Sequence, residues 1–334
     1  MDEFALIRRY FTRPAQRAVL GVGDDCALIA PRAGYELALS TDMLVEGRHF
    51  LQGTAPEDLG HKTLAVNLSD CAAVGAAPRY ALLAGALPEA DPAWLEPFSR
   101  GLFALADRFG VELIGGDTTR GPLTLCVTVV GEVPAGQALL RSGARPGDTV
   151  WVSGELGTAA AGLAALQGKV TLPAAQRAPA VAALQRPTPR VELGIALRGV
   201  ASSALDVSDG LLGDLGHILE RSAVGAAIDL SLIPCIKWLR ALLANADRRD
   251  FALRCVLAGG DDYELCFTAP AESAPQVRAA GRDAGVAVSP IGHIVAGAGL
   301  AVRDERGSPL DCSAFRAFNH FISESDAHDA PRTR

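Results

Sequence analysis

"APEDLGHKTLAVNLSDCAAVG" occupies residues 55–75. Pro56 stands where a first helical turn tolerates proline, and Gly75 where a helix ends. Between them Leu64, Ala65, Val66, Leu68, Ala72, Ala73 and Val74 are small and apolar. The segment reads as one helix. Thr63, Asn67 and Asp70 fall at i, i+4 and i+7, a single polar stripe. Two readings stay open. The stripe is the solvated face of a surface helix, or the helix is buried and the stripe meets a site. The small apolar neighbours suit the second.

Working outward, extended runs alternate with helical ones. "ELALSTD" (36–42), "YALLAGALP" (80–88), "VELIGGD" and "LTLCVTVVGEV" read as strands. "DPAWLEPFSRGLFALADRFG" (91–110) reads as a helix that Asp91 caps and Gly110 closes. The Gly/Pro-rich "RSGARPGD" (141–148) is a joint, so domains are expected over 1–140 and 141–322. Beyond it, "TVWVSG", "SALDVS" and "ELCFT" read as strands. Helices are expected over 155–167, 174–186, 209–222 and near 272–284, then a short hairpin. Residues 323–334 are polar and read as a disordered tail. The class is α/β or α+β.

Composition narrows the function. The chain has 334 residues, 49% of them hydrophobic, and a net charge of −7. No basic cluster favours nucleic acid or an anionic membrane. No apolar run approaches the ~18 residues that span a bilayer. The acidic start "MDEFALIRRYF" lacks the apolar core of a secretory signal. Seven cysteines, none in a C-x-x-C pair, read as reduced, buried thiols of a cytoplasmic protein.

The acids gather at element ends. Asp25 follows a glycine turn in "GVGDD" (21–25), and Asp42 ends "ELALSTD". Asp117 lies in "GGDTT" (115–119), read as a turn. Asp206 and Asp209 flank a strand-to-helix junction, and Asp261 and Asp262 follow "LAGG". Singly, each fits a cap or turn, and Asp209 reads as the N-cap of its helix. Together they cannot converge without cations. Oxygen ligands suit Mg²⁺, and no His/Cys spacing points to zinc. Polyphosphate chemistry needs such a set. Yet "GLAALQGKV" (162–170) fails the P-loop pattern, and "GVGDDC" fails the dinucleotide pattern. With lysines only at 62, 169 and 237, a lysine phosphate clamp is disfavoured. Arg48, Arg120, Arg141 and Arg145 remain.

In order, "GVGDDCA", "STDMLVEGRHF", "AVNLSDCAAVGAAPRYAL", "LIGGDTTRG", "RSGARPGD", "LDVSDGLLGDL" and "GGDDYELCFT" resemble the thiamine-monophosphate kinase family, of the aminoimidazole-ribonucleotide-synthetase-like (PurM-like) superfamily. The resemblance spans residues 3–321. It implies two α/β domains, the first pairing with its copy in a homodimer whose sheets form a shared barrel. It implies ATP and several Mg²⁺ between the domains, and phosphorylation of thiamine monophosphate to thiamine diphosphate. By motif, Asp25, Ser40, Thr41, Asp42, Asp70, Asp117, Asp206 and Asp209 match metal positions, with Asp42, Asp70 and Asp206 expected nearest the chemistry. Phe109, Gly116, Asp117, Arg141 and Ser208 match nucleotide positions. His49, Asp261 and Phe318 match substrate contacts. Two departures touch the substrate end: Asp at 261 where glutamate is common, and "RAFNHF" before the end of the resemblance.

On this reading the acceptor is a phosphate monoester, largely dianionic at neutral pH, and needs no general base. Unit charges about 4 Å apart repel by about 4 kcal/mol at an effective dielectric of 20, so two dianions repel by about 16. Several cations can offset that, and one lysine cannot. Competing readings are aminoimidazole ribonucleotide synthetase, a two-metal phosphohydrolase and a non-catalytic cation-binding protein. Selenophosphate synthetase lacks support because no Cys/Lys pair precedes the first Gly-Asp motif, and the hydrogenase-maturation relative because the chain ends "APRTR" without a cysteine.

Overall fold

Strand pairing divides the chain into two mixed sheets, with one helix touching both. The computed structural model describes residues 2–315. Phe318 and the expected tail lie outside the described residues. A short α1 (Glu3–Leu6), capped by the Asp2 carboxylate on the Ala5 N–H, runs on to Phe11.

The first sheet has β1 (Tyr35–Val45), β2 (Ala77–Leu87), β3 (Glu112–Arg120) and β4 (Thr124–Pro134), in the order β1-β4-β2-β3. Only β2 and β3 run parallel. α2 (Pro56–Ala73) and α3 (Pro92–Phe109) pack on this sheet. As expected, Asp91 accepts from the Ala93 N–H at 2.9 Å and Gly110 closes α3 with φ +63°. The two helices cross at glycines. A Cβ on Gly60 would lie 2.0 Å from the Phe98 carbonyl oxygen, and one on Gly101 1.9 Å from that of Glu57. Their backbones therefore touch.

The second sheet has β5 (Thr149–Ser153), β6 (Ser203–Val207), β7 (Gly225–Asp229), β8 (Glu264–Ala269), β9 (Val288–Val295), β10 (Gly299–Arg303) and β11 (Pro309–Leu310). Its order is β11-β10-β7-β9-β5-β8-β6. α4 (Thr158–Leu166), α5 (Ala174–Gln185), α6 (Val191–Ala196), α7 (Leu211–Ser222), α8 (Lys237–Leu243), α9 (Arg249–Ala258) and α10 (Ala274–Asp283) complete it. β7, α6, α8 and α9 occupy segments that carried no expectation from the sequence.

Side chains alternate across the second sheet. Trp151, Leu265 and Phe267 join the core around α2 and α3, while Val150, Val152 and Cys266 join a second core with Leu215 and Ile218 of α7. The first core is thus shared by both sheets.

Two sequence readings change. "GGDTT" is not a turn, because β3 runs straight through it. Gly116 has φ +148°, and a Cβ there would lie 1.8 Å from the Leu83 carbonyl oxygen. The glycine lets β3 press against β2 rather than reverse the chain. Nor is Asp209 the N-cap of its helix: α7 begins at Leu211 behind Gly210, which has φ +112°. Among the described residues no helix is long and apolar enough to cross a membrane, and all seven cysteines are unpaired.

Candidate active site

Of the 18 residues of α2, 13 are buried, including Lys62, Thr63, Asn67 and Ser69, so its polar groups face the interior. The helix has two polar sides. Toward the first sheet, Asn67 Oδ1 accepts from the Asp42 N–H at 3.1 Å, and Asp70 accepts from the Ser40 hydroxyl. Toward the second sheet, the Ser69 hydroxyl donates to Asp206 Oδ2 at 2.6 Å, and Lys62 Nζ donates to Asp261 Oδ1 at 2.8 Å. Asn67 is itself held by donating its amide to the Thr63 carbonyl at 3.1 Å.

These contacts open onto a cavity of about 850 Å³ between the end of β1, α2, α4, α9 and the loops after β6 and α9. Asp42, Asp70, Asp206, Asp209, His49 and Asp261 line it, with Ser208 beside them. Leu163, Ala164 and Phe251 also line it, alongside Gln167, Lys169 and Arg254.

The acids are electrostatically strained. Burial, then the charge of Asp70 and a proton shared with it, push the Asp42 carboxyl up to about 6. Burial raises Asp70, against the Ser40 hydroxyl and the charge of Arg141, which hold it down. Burial and the Asp70 charge push Asp206 up to about 7, opposed by the Ser69 hydroxyl. Among the described residues no lysine or arginine forms a salt bridge with Asp42, Asp70 or Asp206. Like charges held together without a direct ion pair are a donor set for a hard cation.

Two loops carry the remaining groups. After β6, Asp214 Oδ2 accepts from the N–H groups of Ser208, Asp209 and Gly210 at 3.1, 3.0 and 3.0 Å. Asp214 thus orders the junction, and the Asp209 side chain lines the cavity. Burial pushes Asp214 up to about 6. Before β8, Asp261 and Tyr263 have φ +68° and +51°, a region non-glycine residues rarely adopt. His49 Nδ1 accepts from the Val45 N–H at 3.0 Å, which places the ring proton on Nε2.

Other expected site residues lie elsewhere. Asp25, Thr41, Phe109, Gly116, Asp117 and Arg141 do not line the cavity. Cross-strand neighbours share a face, and the register Met43–Cys126–Ala84–Asp117 puts Asp117 with Met43, opposite Asp42. Thr41 bonds Thr128 on that outer face at 2.8 Å. Asp25 sits exposed in a loop whose Ala27 and Ile29 pack there on Tyr80, Ile114 and Val130. Within one chain the expected metal set is therefore split across the first sheet. Sequence reasoning also missed Lys62, Ser69, Asp214 and Tyr263. The only signal for Ser69 was its place beside Asp70 in a helix with apolar neighbours.

The AIR synthase related protein N-terminal domain matches residues 23–133, and the corresponding C-terminal domain matches residues 145–305. Fold and site together define a two-domain protein of the AIR-synthase-related class. The thiamine-monophosphate kinase of Escherichia coli (strain K12) is 46% identical over 327 residues, covering 96% of this chain and 98% of its own. The chain belongs to the thiamine-monophosphate kinase family. Its fold is similar to that of the Stenotrophomonas maltophilia K279a thiamine-monophosphate kinase, with TM-score 0.82, 48% identity, and coverage of 92% of this chain and 98% of that one. AaThiL complexed with AMPPCP and TMP has TM-score 0.75 and 30% identity, with coverage of 87% and 89%.

Proposed function

We propose that this chain transfers the γ-phosphoryl group of ATP to the phosphate of thiamine monophosphate, giving thiamine diphosphate and ADP. An acceptor phosphate oxygen attacks the γ-phosphorus in line, and the bond to the bridging β–γ oxygen breaks. The observation that carries this reading is the convergence of Asp42, Asp70, Asp206 and Asp209 on one substrate-sized cavity, with no salt bridge to the first three among the described residues.

Among the described residues no group of three or more His, Cys, Asp or Glu side chains is arranged to hold a metal ion by itself. Such an incomplete set would leave room for phosphate and water oxygens, which suits Mg²⁺. Mg²⁺, when bound, neutralises phosphate charge that would otherwise keep donor and acceptor apart. Asp42, Asp70, Asp206 and Asp209 would hold it, with Ser40 and Ser69 fixing two of those carboxylates. Asn67 and Asp214 hold the backbone at Asp42 and at the 208–210 loop. His49 and Asp261, which line the same cavity, serve the acceptor. Ser208 serves the nucleotide together with Arg141, whose charge reaches Asp70. Asp25, Thr41, Phe109, Gly116 and Asp117, which lie off this cavity, take no role in it within one chain. No side chain needs to act as general base, because the acceptor is already a dianion.

We further infer a cytoplasmic homodimer. β1 is an edge strand of 11 residues, and Leu39 and Met43 on its outer face are 66% and 55% exposed. Such an edge favours pairing with another copy.

The test is an ADP-release assay with Mg²⁺ across phosphate-monoester acceptors. ADP should form only with thiamine monophosphate, and Asp42→Ala should abolish turnover without unfolding the protein. Phosphate release without an acceptor would instead support a hydrolase. A trapped ³²P-labelled protein would replace direct transfer with a phosphoenzyme.

A further inference from the structure

Lys62 is 3% exposed, an unusual place for a lysine on a helix. Its Nζ donates to Asp261 Oδ1 at 2.8 Å, across 199 residues of sequence. The Tyr263 hydroxyl donates to the same oxygen at 3.2 Å. The backbone is pinned too: the Asp261 N–H donates to the Ser208 carbonyl and the Tyr263 N–H to the Val207 carbonyl, each at 2.9 Å. Asp261 is thus held in its left-handed conformation by its N–H and by one carboxylate oxygen. Among the described residues Oδ2 takes no hydrogen bond, and Asp261 lines the cavity.

We propose that Lys62 is a positioning residue for the acceptor, fixing Asp261 through Oδ1 so that Oδ2 receives the cationic ring or amino group of the substrate. The proposal rests on the thiamine-monophosphate reading above. A thiazolium ring carries a permanent positive charge and an aminopyrimidine carries N–H donors, and a carboxylate oxygen suits either. Lys62 and Asp70 stand on one rigid helix, eight residues or about 12 Å apart along its axis. α2 therefore carries both a carboxylate of the site and the lysine that holds Asp261. A buried cation with one carboxylate partner is also costly to place, so its removal leaves Asp261 without its clamp.

Calorimetric titration of thiamine monophosphate, with Mg²⁺ and a non-hydrolysable ATP analogue present, tests this. Lys62→Met should weaken acceptor binding at least tenfold and leave analogue binding within twofold. In an Asp261→Asn background the same substitution should weaken acceptor binding by less than threefold, because Lys62 acts through Asp261. Lys62→Arg, which reaches the same carboxylate, should stay within about threefold of wild type, and it carries the test if Lys62→Met does not fold. Equal weakening of both ligands in either variant overturns the proposal, as does a Lys62→Met effect that persists without Asp261. Wild-type protein that binds no thiamine monophosphate overturns the kinase reading and this proposal with it. Wild type that binds while Lys62→Met binds equally well overturns the proposal alone.

Discussion

Asp206→Asn separates the stability of the site from its chemistry. Asp206 is 7% exposed and accepts from the Ser69 hydroxyl at 2.6 Å. Asparagine keeps that shape, and its amide oxygen can still accept. Burial and the Asp70 charge raise the carboxyl from 3.8 to about 7. Because the folded value lies above the unfolded one, the folded state binds the proton more tightly. Its stabilising effect is complete below 3.8 and is lost as pH rises through about 7. A rise of that size corresponds to roughly 4 kcal/mol. Asparagine has no charge at any pH and escapes the loss. Metal-free Asp206→Asn protein should therefore melt higher than the parent at pH 8 and match it at pH 4. For 334 residues the unfolding entropy is about 0.7 kcal/mol/K, so the gain is up to about 6 °C. Thermal melts in EDTA from pH 4 to 9 read this directly. Turnover with Mg²⁺ and ATP should fall at least 100-fold in the same variant. If Asp206→Asn melts below the parent at pH 8, the buried carboxylate is already compensated and the cation-site reasoning fails. If the variant keeps full turnover, Asp206 is not a ligand.

Mg²⁺ should raise the melting temperature more at pH 8 than at pH 5, since Asp42 and Asp206, at about 6 and about 7, are protonated at the lower pH. Equal shifts at both pH values would place the cation elsewhere. Asp214→Ala removes the acceptor of three loop N–H groups and should cost about 2–3 kcal/mol, read from the urea midpoint. An unchanged midpoint would mean that water replaces it fully. Gly101→Ala puts a methyl 1.9 Å from the Glu57 carbonyl oxygen and should cost at least about 2 kcal/mol by forcing α2 and α3 apart. A melt within 1 °C of the parent would show that the helix crossing can open cheaply.

Much of the first sheet and its two helices is legible in the sequence because local signals agree there. Asp91, Pro92 and Gly110 bracket α3, and the apolar run of "ELALSTD" with its polar end marks β1. β7 and α9 escape because "GAAID" is five residues long with one large apolar side chain, and α9 starts behind Arg248 with no side-chain cap. "GGDTT" misleads for a physical reason: glycine serves a tight turn and a close strand contact equally well, and only the position of Leu83 decides between them. The candidate site divides in the same way. Asp42, Asp206 and Asp209 are legible as acids at element ends and Asp70 as part of a polar helical stripe, and the four do share a cavity. Asp117 reads identically but faces the other side of its sheet, because the irregular register of β3 on β2 is a tertiary fact.

The helix at 56–73 shows where a periodic reading stops. A stripe at i, i+4 and i+7 picks out Thr63, Asn67 and Asp70 because it assumes one polar face and one partner. Buried between two sheets, the helix has a second polar side, Lys62 and Ser69, also seven residues apart, bonded to Asp261 in the loop before β8 and to Asp206 in β6. A helix that must satisfy polar groups on two sides has no clean apolar face. The weak amphipathicity that makes its sequence look ambiguous is thus the consequence of its position at the centre of the site.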